Sequence, residues 1–225
     1  MSKWKGTGGL LLWIDVAPAL HRETDAWYVN EHLPERVDIA GYRNARRYVA
    51  VEGSPRYLSI FEADTPEALS SEGYLGLVRK ISEQSQRIRA GFSNVVRNTF
   101  RVRASAGRGR GGYVASFRLQ VAPRGNAPIE EAEAAIDALV PRLATEHGVV
   151  GVHWLKAAPE IRARLDAVRA VGQQDRSTEH VLIVEATQRE EIAALRQAVM
   201  SPHELSKLGW SEEAFGIYQL MVEFS

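Results

Sequence analysis

Apolar residues crowd both faces of Gly8 to Val16 through Ile14, as in a central strand covered on both sides. Thr24 or Asp25 is placed to cap a helix running to about Val37. Gly41 resets the chain, and Arg43 to Val51 follows as a second strand. Gly53-Ser54-Pro55 marks a turn. Tyr57 to Ala63 then alternates, with Tyr57, Ser59 and Phe61 on one face and Leu58, Ile60 and Glu62 on the other. Thr65-Pro66-Glu67 opens a second helical stretch, with Pro66 at the tolerated first position. That stretch breaks near Gly73 and continues to about Ala90. Val95 to Val102 is a fourth strand, so the order is βαββαβ.

The second half repeats that order. Tyr113 to Val121 reads as a strand and Ile129 to about Ala144 as a helix, with Ala132, Ile136, Leu139, Val140 and Leu143 on one stripe. Val149 to Lys156 and His180 to Ala186 are strands, Glu190 to Met200 is a helix, and Gly216 to Phe224 closes the unit. A duplicated unit of roughly 105 residues accounts for both halves. Pro34 precedes Gly41 by the same step as Pro141 precedes Gly148, although Gly151 is a rival partner for Gly41. The expected fold is α+β: two tandem ferredoxin-like βαββαβ repeats whose antiparallel sheets face each other as an α+β barrel. Each sheet alone would leave an apolar face open. The expected boundaries are 1–105 for the first repeat, 106–112 for a Gly/Arg linker and 113–225 for the second. An extra helix is expected near 159–171, where the first repeat has only a turn.

Composition narrows the classes. Over 225 residues, hydrophobic residues make up 45% and charged residues 25%, the balance of a folded globule. Basic and acidic residues number 28 each, so no net field draws in nucleic acid or anionic lipid. The Gly107–Gly112 run resembles an RGG-type segment, but one short copy in a neutral chain reads as linker. No cysteine is present, which removes disulfides, thiolate nucleophiles and Cys-held metals and suits a reducing, cytoplasmic compartment. No run approaches the roughly 20 apolar residues of a membrane span, and the start lacks a signal-peptide pattern.

The chemistry concentrates in the first helix. On an ideal helix Ala26, Val29, Leu33 and Val37 form the sheet-facing stripe, with Asn30 in its middle. Tyr28, His32 and Arg36 run along a flanking edge. Pro34 should kink the helix and free a carbonyl. A structural explanation competes: Trp27 as core, Asn30 bonded to backbone near the kink, His32 and Arg36 on a solvated edge. The second repeat weighs against it, since Trp27, Tyr28, Glu31 and His32 correspond to Ala134, Ala135, Ala138 and Leu139. The fold does not require these groups.

The segment Trp27-Tyr28-Val29-Asn30-Glu31-His32-Leu33-Pro34-Glu35 resembles the aromatic-x-x-x-Glu-His-x-Pro helix of EthD-like proteins, members of the dimeric α+β barrel superfamily. Gly41-Tyr42-Arg43 matches the following corner in part, with Ala40 where proline is common. The resemblance implies a pocket between the first helix and its sheet, with His32 foremost. Cofactor-free cyclases, isomerases and quinone-forming monooxygenases belong to that superfamily, as do members without known activity. The expected function is a small-molecule pocket, acting without cofactor or metal on an aromatic or polyketide-like compound. A non-catalytic metabolite-binding protein is the alternative.

In a catalytic reading His32 carries the proton, its ordinary pKa near 6.5 suiting neutral pH. Tyr28 and Tyr57 donate hydrogen bonds, and Glu31 or Asp15 orients His32 or acts as a second base. Trp27, Asn30 and Arg36 line the pocket. One of Arg43, Arg46, Arg47 or Arg97 offsets an enolate or carboxylate, depending on strand alternation. Tandem barrels also include the haem-binding chlorite dismutase group, whose proximal His lies in the C-terminal half; His147, His153, His180 and His203 are the residues available. No His-Glu-x-x-His, Walker-type loop, dinucleotide fingerprint or Gly-x-Ser-x-Gly elbow occurs. The expected partner is a small-molecule ligand, with the chain a monomeric pseudo-dimer or a homodimer.

Overall fold

The computed structural model describes residues 4–122, 128–168 and 175–225. The strands are β1 (Gly8–Val16), β2 (Tyr42–Gly53), β3 (Tyr57–Ala63), β4 (Phe92–Gly107), β5 (Tyr113–Val121), β6 (Val149–Ala157), β7 (His180–Ala186) and β8 (Trp210–Phe224). The helices are α1 (His21–Trp27), α2 (Pro34–Val37), α3 (Glu72–Arg79), α4 (Glu83–Ala90), α5 (Ile129–Leu143), α6 (Pro159–Asp166), α7 (Arg189–Ala198) and α8 (Pro202–Lys207).

All eight strand pairs are antiparallel and close a barrel in the order β4-β1-β3-β2-β8-β5-β7-β6. Each repeat contributes four consecutive staves with the ferredoxin-like order. The two sheets do more than face each other: their edges join along β2–β8 and β4–β6. Closure leaves no free edge, which removes the usual template for aggregation. Gly41 and Gly148 take the same role at the helix-to-strand corner. Both have positive φ, at 94° and 70°, and their carbonyls accept from Asp64 and Thr187. Gly148 is therefore the structural partner of Gly41, rather than Gly151.

Strand alternation sorts the core into layers. Leu11, Trp13, Leu58, Ile60, Val114, Val181 and Ile183 point into the barrel. Leu10 and Phe61 point outward beneath the helices of the first repeat, and Phe117, Leu182 and Val184 beneath those of the second.

Several boundaries move. The first helix begins at His21 after a tight turn at Pro18–Leu20, so Thr24 lies buried inside it rather than at its cap. The second helical stretch breaks at Ser71 and Ser82, whose hydroxyls accept from the Tyr74 and Ser85 amides, and Gly73 sits within α3. β4 reaches Gly107, β8 starts at Trp210, and α8 was not expected. α6 matches the start of the extra helix, while positions 169–171 of that expectation lie outside the described residues. No helix among the described residues is long and apolar enough to cross a membrane.

Candidate functional site

The first helix does not continue as an ideal α-helix. Between α1 and α2 lies one wide turn, Tyr28–His32, in which the Leu33 amide bonds the Tyr28 carbonyl at 2.9 Å, five residues back. Pro34, with no N–H to donate, cannot hold the next position in the ordinary four-residue ladder. The wider turn changes which face meets the sheet. Trp27, Tyr28, His32, Leu33 and Arg36 are buried, whereas Ala26, Val29 and Asn30 are exposed. The expected stripe through Asn30 is thus corrected: Asn30 faces solvent, and the supposed flanking edge is the inner one.

Beneath this turn, on the outer face of the first repeat's sheet, lies a cavity of about 90 Å³. Its floor is Leu10, Leu12, Phe61, Phe92, Val95 and Arg97 from the strands. Trp27, His32 and Arg36 form its roof, and Tyr42, Tyr74, Val78, Arg89, Leu165 and Asp175 close the sides.

His32 is 7% exposed and held by aromatic rings on several sides. Trp27 stacks on it at 4.3 Å between centroids, with Tyr28 and Phe61 edge-on at 4.9 and 5.9 Å. Its Nδ1 is buried without a hydrogen-bond partner. Burial, then the fields of Arg36, Arg89 and Arg47, push its pKa well below 6.5. The ring is therefore neutral at neutral pH, with a proton-accepting nitrogen available.

Arg36 is also buried. It bonds Glu35 at 3.2 Å and lies 5.2 Å from the centre of the Tyr74 ring. Tyr74 in turn stacks on Tyr42 at 5.5 Å. Arg97 is tied to Asp166 at 2.5 Å and Asp175 at 3.0 Å.

Other expected site residues lie elsewhere. Glu31 does not orient His32: its carboxylate accepts from the Ser82 and Ser85 hydroxyls at 2.8 Å. Burial raises its pKa, but Ser85, Ser82 and Trp27 with Arg89 outweigh that and leave it lowered. Tyr28 and Tyr57 sandwich the Arg47 guanidinium at 3.7 and 4.2 Å, and Arg47 reaches Asp25 at 2.9 Å. The Tyr28 hydroxyl accepts from Ser59 at 3.2 Å. This stack adjoins His32 without lining the cavity.

Arg43 sits at a strand irregularity between Tyr42 and Asn44 and pairs with Asp64 on the surface. Arg46, the intervening residue between outward Ala45 and Arg47, points into the barrel and bonds Glu62 at 2.5 Å and Glu185 at 2.9 Å. Asp15 accepts from the Arg56 amide and the Asn94 side chain, away from the pocket.

Leu165, Tyr74, Arg89 and Asp175 were not foreseen as pocket residues. Leu165 lies on the insertion, and nothing in the linear sequence says which repeat that insertion covers. Tyr74 and Leu75 on α3 do carry the amphipathic signal that could have found Tyr74.

The corresponding groove of the second repeat is filled. Trp210 starts β8 as Phe92 starts β4, and its indole N–H bonds the Ala132 carbonyl at 2.9 Å. Trp154 and Trp210 pack against His180, whose Nε2 meets Glu133 at 2.9 Å. His153 has Nδ1 at Ser105 and Nε2 at Glu185. His147 and His203 lie on the surface. These histidines do not fit the axial ligand of a haem, since the buried rings are engaged by polar partners and walled by indoles.

No protein-family model and no curated protein matches the chain. Solved structures do match. An anthrone oxidase-like protein superposes with a TM-score of 0.61 at 14% identity, covering 100% of this chain and 95% of that one. A candidate monooxygenase from Fusobacterium nucleatum gives 0.62 at 11%, covering 97% and 94%. A chlorite dismutase from Candidatus Nitrospira defluvii gives 0.55 at 9%, covering 97% and 92%. At such identities the likeness is one of fold, the ferredoxin-like dimeric α+β barrel.

Proposed function

We propose that the chain is a cofactor-independent enzyme of the EthD-like type whose pocket binds a small aromatic compound with an acidic hydroxyl or carbonyl oxygen. The observation that carries this is the His32 ring: neutral, buried, with Nδ1 unpartnered, at a cavity walled by aromatic rings and arginines. His32 takes a proton from the bound compound, and the negative charge left on oxygen faces Arg36 and Arg89. Returning the proton to carbon completes an isomerisation. Attack of the anion on a carbonyl carbon, with the proton returned to its oxygen, completes a ring closure. Returning the proton to a departing hydroxyl completes a dehydration, with water as the leaving group. A monooxygenase outcome would need dioxygen to trap the same anion.

Size limits the ligand. An apolar cavity of about 150 Å³ is enough to hold benzene. At about 90 Å³, this cavity is smaller than that, so a single ring enters only with side-chain movement and two rings do not fit.

Binding of monocyclic phenols, hydroquinones and enols, followed by quenching of Trp27 next to His32, tests the reading. His32→Gln should lower turnover about 10²–10⁴-fold while leaving the dissociation constant within a few-fold. Equal loss of binding with no turnover in either protein would instead make the chain a carrier.

A further inference from the structure

The equivalent first strands of the two repeats, β1 and β5, differ at their inward positions. Strand pairing fixes the correspondence. Gly9 and Val114 oppose Glu62 and Glu185; Leu11 and Ser116 oppose Ile60 and Ile183; Trp13 and Arg118 oppose Leu58 and Val181. The barrel is thus satisfied by leucine and tryptophan in one repeat, yet carries serine and arginine in the other. The neighbouring strands differ in step. Val96 and Asn98 on β4 correspond to Ala214 and Gly216 on β8, so small residues flank the polar pair.

Arg118 is 9% exposed, and among the described residues no carboxylate lies within ion-pairing distance of it. Glu213, whose field reaches it, is exposed, and exposed Arg176 adds a second positive field. The Arg118 guanidinium lies 5.5 Å from the Trp13 ring centre. Trp13 Nε1 and Ser116 Oγ are both buried without partners. The Tyr218 ring folds over Gly216, the cross-strand neighbour of Ser116, with its hydroxyl 3.0 Å from where a Cβ would stand. The two buried donors are costly when unpaired, and a largely buried guanidinium with no carboxylate beside it attracts an anion.

We propose that the barrel interior between Trp13 on β1 and Ser116 and Arg118 on β5 holds a small monovalent anion, a halide or a planar oxyanion such as formate or nitrate. The Arg118 guanidinium, the Trp13 indole N–H and the Ser116 hydroxyl are its donors. The site lies inside the barrel, separate from the His32 cavity on its outer face.

The test is the melting temperature of the whole protein as sodium formate or nitrate replaces sodium gluconate at constant ionic strength. The wild type should show a rise on the order of 3 °C at tenfold excess over Kd, continuing with the logarithm of anion concentration. Arg118→Gln should abolish the rise, and Ser116→Ala should move the anion concentration that gives a rise of about 3 °C several-fold higher. An equal rise in Arg118→Gln, or no rise in the wild type, would mean only water and a general salt effect, and would overturn the proposal. Should Arg118→Gln fail to fold, Ser116→Ala and Trp13→Phe decide: the same rise at the same anion concentration as the wild type in both overturns it equally.

Discussion

At the scale of single residues, His32 couples the pocket to pH. Free histidine takes its proton near 6.5, whereas burial and three arginines keep folded His32 neutral well below that. Between those two values the unfolded chain binds more protons than the folded one, so stability rises with pH across the window. It falls as pH drops below about 6.5. His180 is shifted the same way, by burial first, with Glu133 opposing. Glu62 and Glu185 are lowered too, by Arg46 and Arg110 against burial, but their windows lie below the ordinary carboxylate value of 4.5. Urea midpoints measured from pH 7.5 to 5 should therefore decline in the wild type and decline less in His32→Gln. Parallel curves would show that His32 titrates normally. The same shift sets the acid limb of any turnover profile below pH 6.5, because the base stays unprotonated there.

Individual elements show where sequence reading succeeds and where it stops. The strand–helix order was legible because β3 and β7 are short, largely apolar runs buried on both faces and glycines mark the corners. The polar ends of β4 and β8, such as Ser93-Asn94 and Ser211-Glu212-Glu213, carry no apolar signal, so those strands were expected shorter. The unusual chemistry of the first helix was also legible, through its contrast with the alanines of the second repeat. Its facing was not, since ideal helical phase fails across the wide turn before Pro34. Arg46 was separable from Arg47 by alternation alone, but which face of the sheet held the pocket had to be seen.

The insertion is the clearest case. α6 buries Ile161 and Leu165 against the first repeat, not its own, and Leu165 becomes a pocket wall. Truncating a buried leucine costs about 2–5 kcal/mol and leaves space behind. Leu165→Ala should therefore lower stability by that amount in urea unfolding, and admit larger ring-substituted monocyclic phenols that the wild type excludes. Unchanged ligand-size selectivity would show that α6 does not set the pocket's limit.

At the scale of the whole molecule, the joined sheets place charges from both repeats inside one barrel. Arg46 from β2 meets Glu62 from β3 and Glu185 from β7, and also donates to the Tyr48 hydroxyl at 2.7 Å. Arg110, from the connection between the repeats, reaches Glu62 at 2.6 Å and Glu185 at 3.3 Å. The Gly111 amide and His153 complete the shell of Glu185. So the Gly/Arg stretch, read from sequence as a passive linker, also supplies a cation that helps neutralise two buried carboxylates.

Such a cluster ties the repeats together, because removing one member strands the others without water. Breaking a buried pair costs about 3–5 kcal/mol, where an exposed pair contributes at most about 1. Arg46→Met should cost that much, while Arg43→Met, whose partner Asp64 lies on the surface, should change little. In both variants far-UV circular dichroism and tryptophan fluorescence should report one coincident transition, because the β2–β8 and β4–β6 seams make each repeat complete the other's sheet. Two separated transitions in Arg46→Met would mean that the seams alone do not couple the repeats and that the buried charges do.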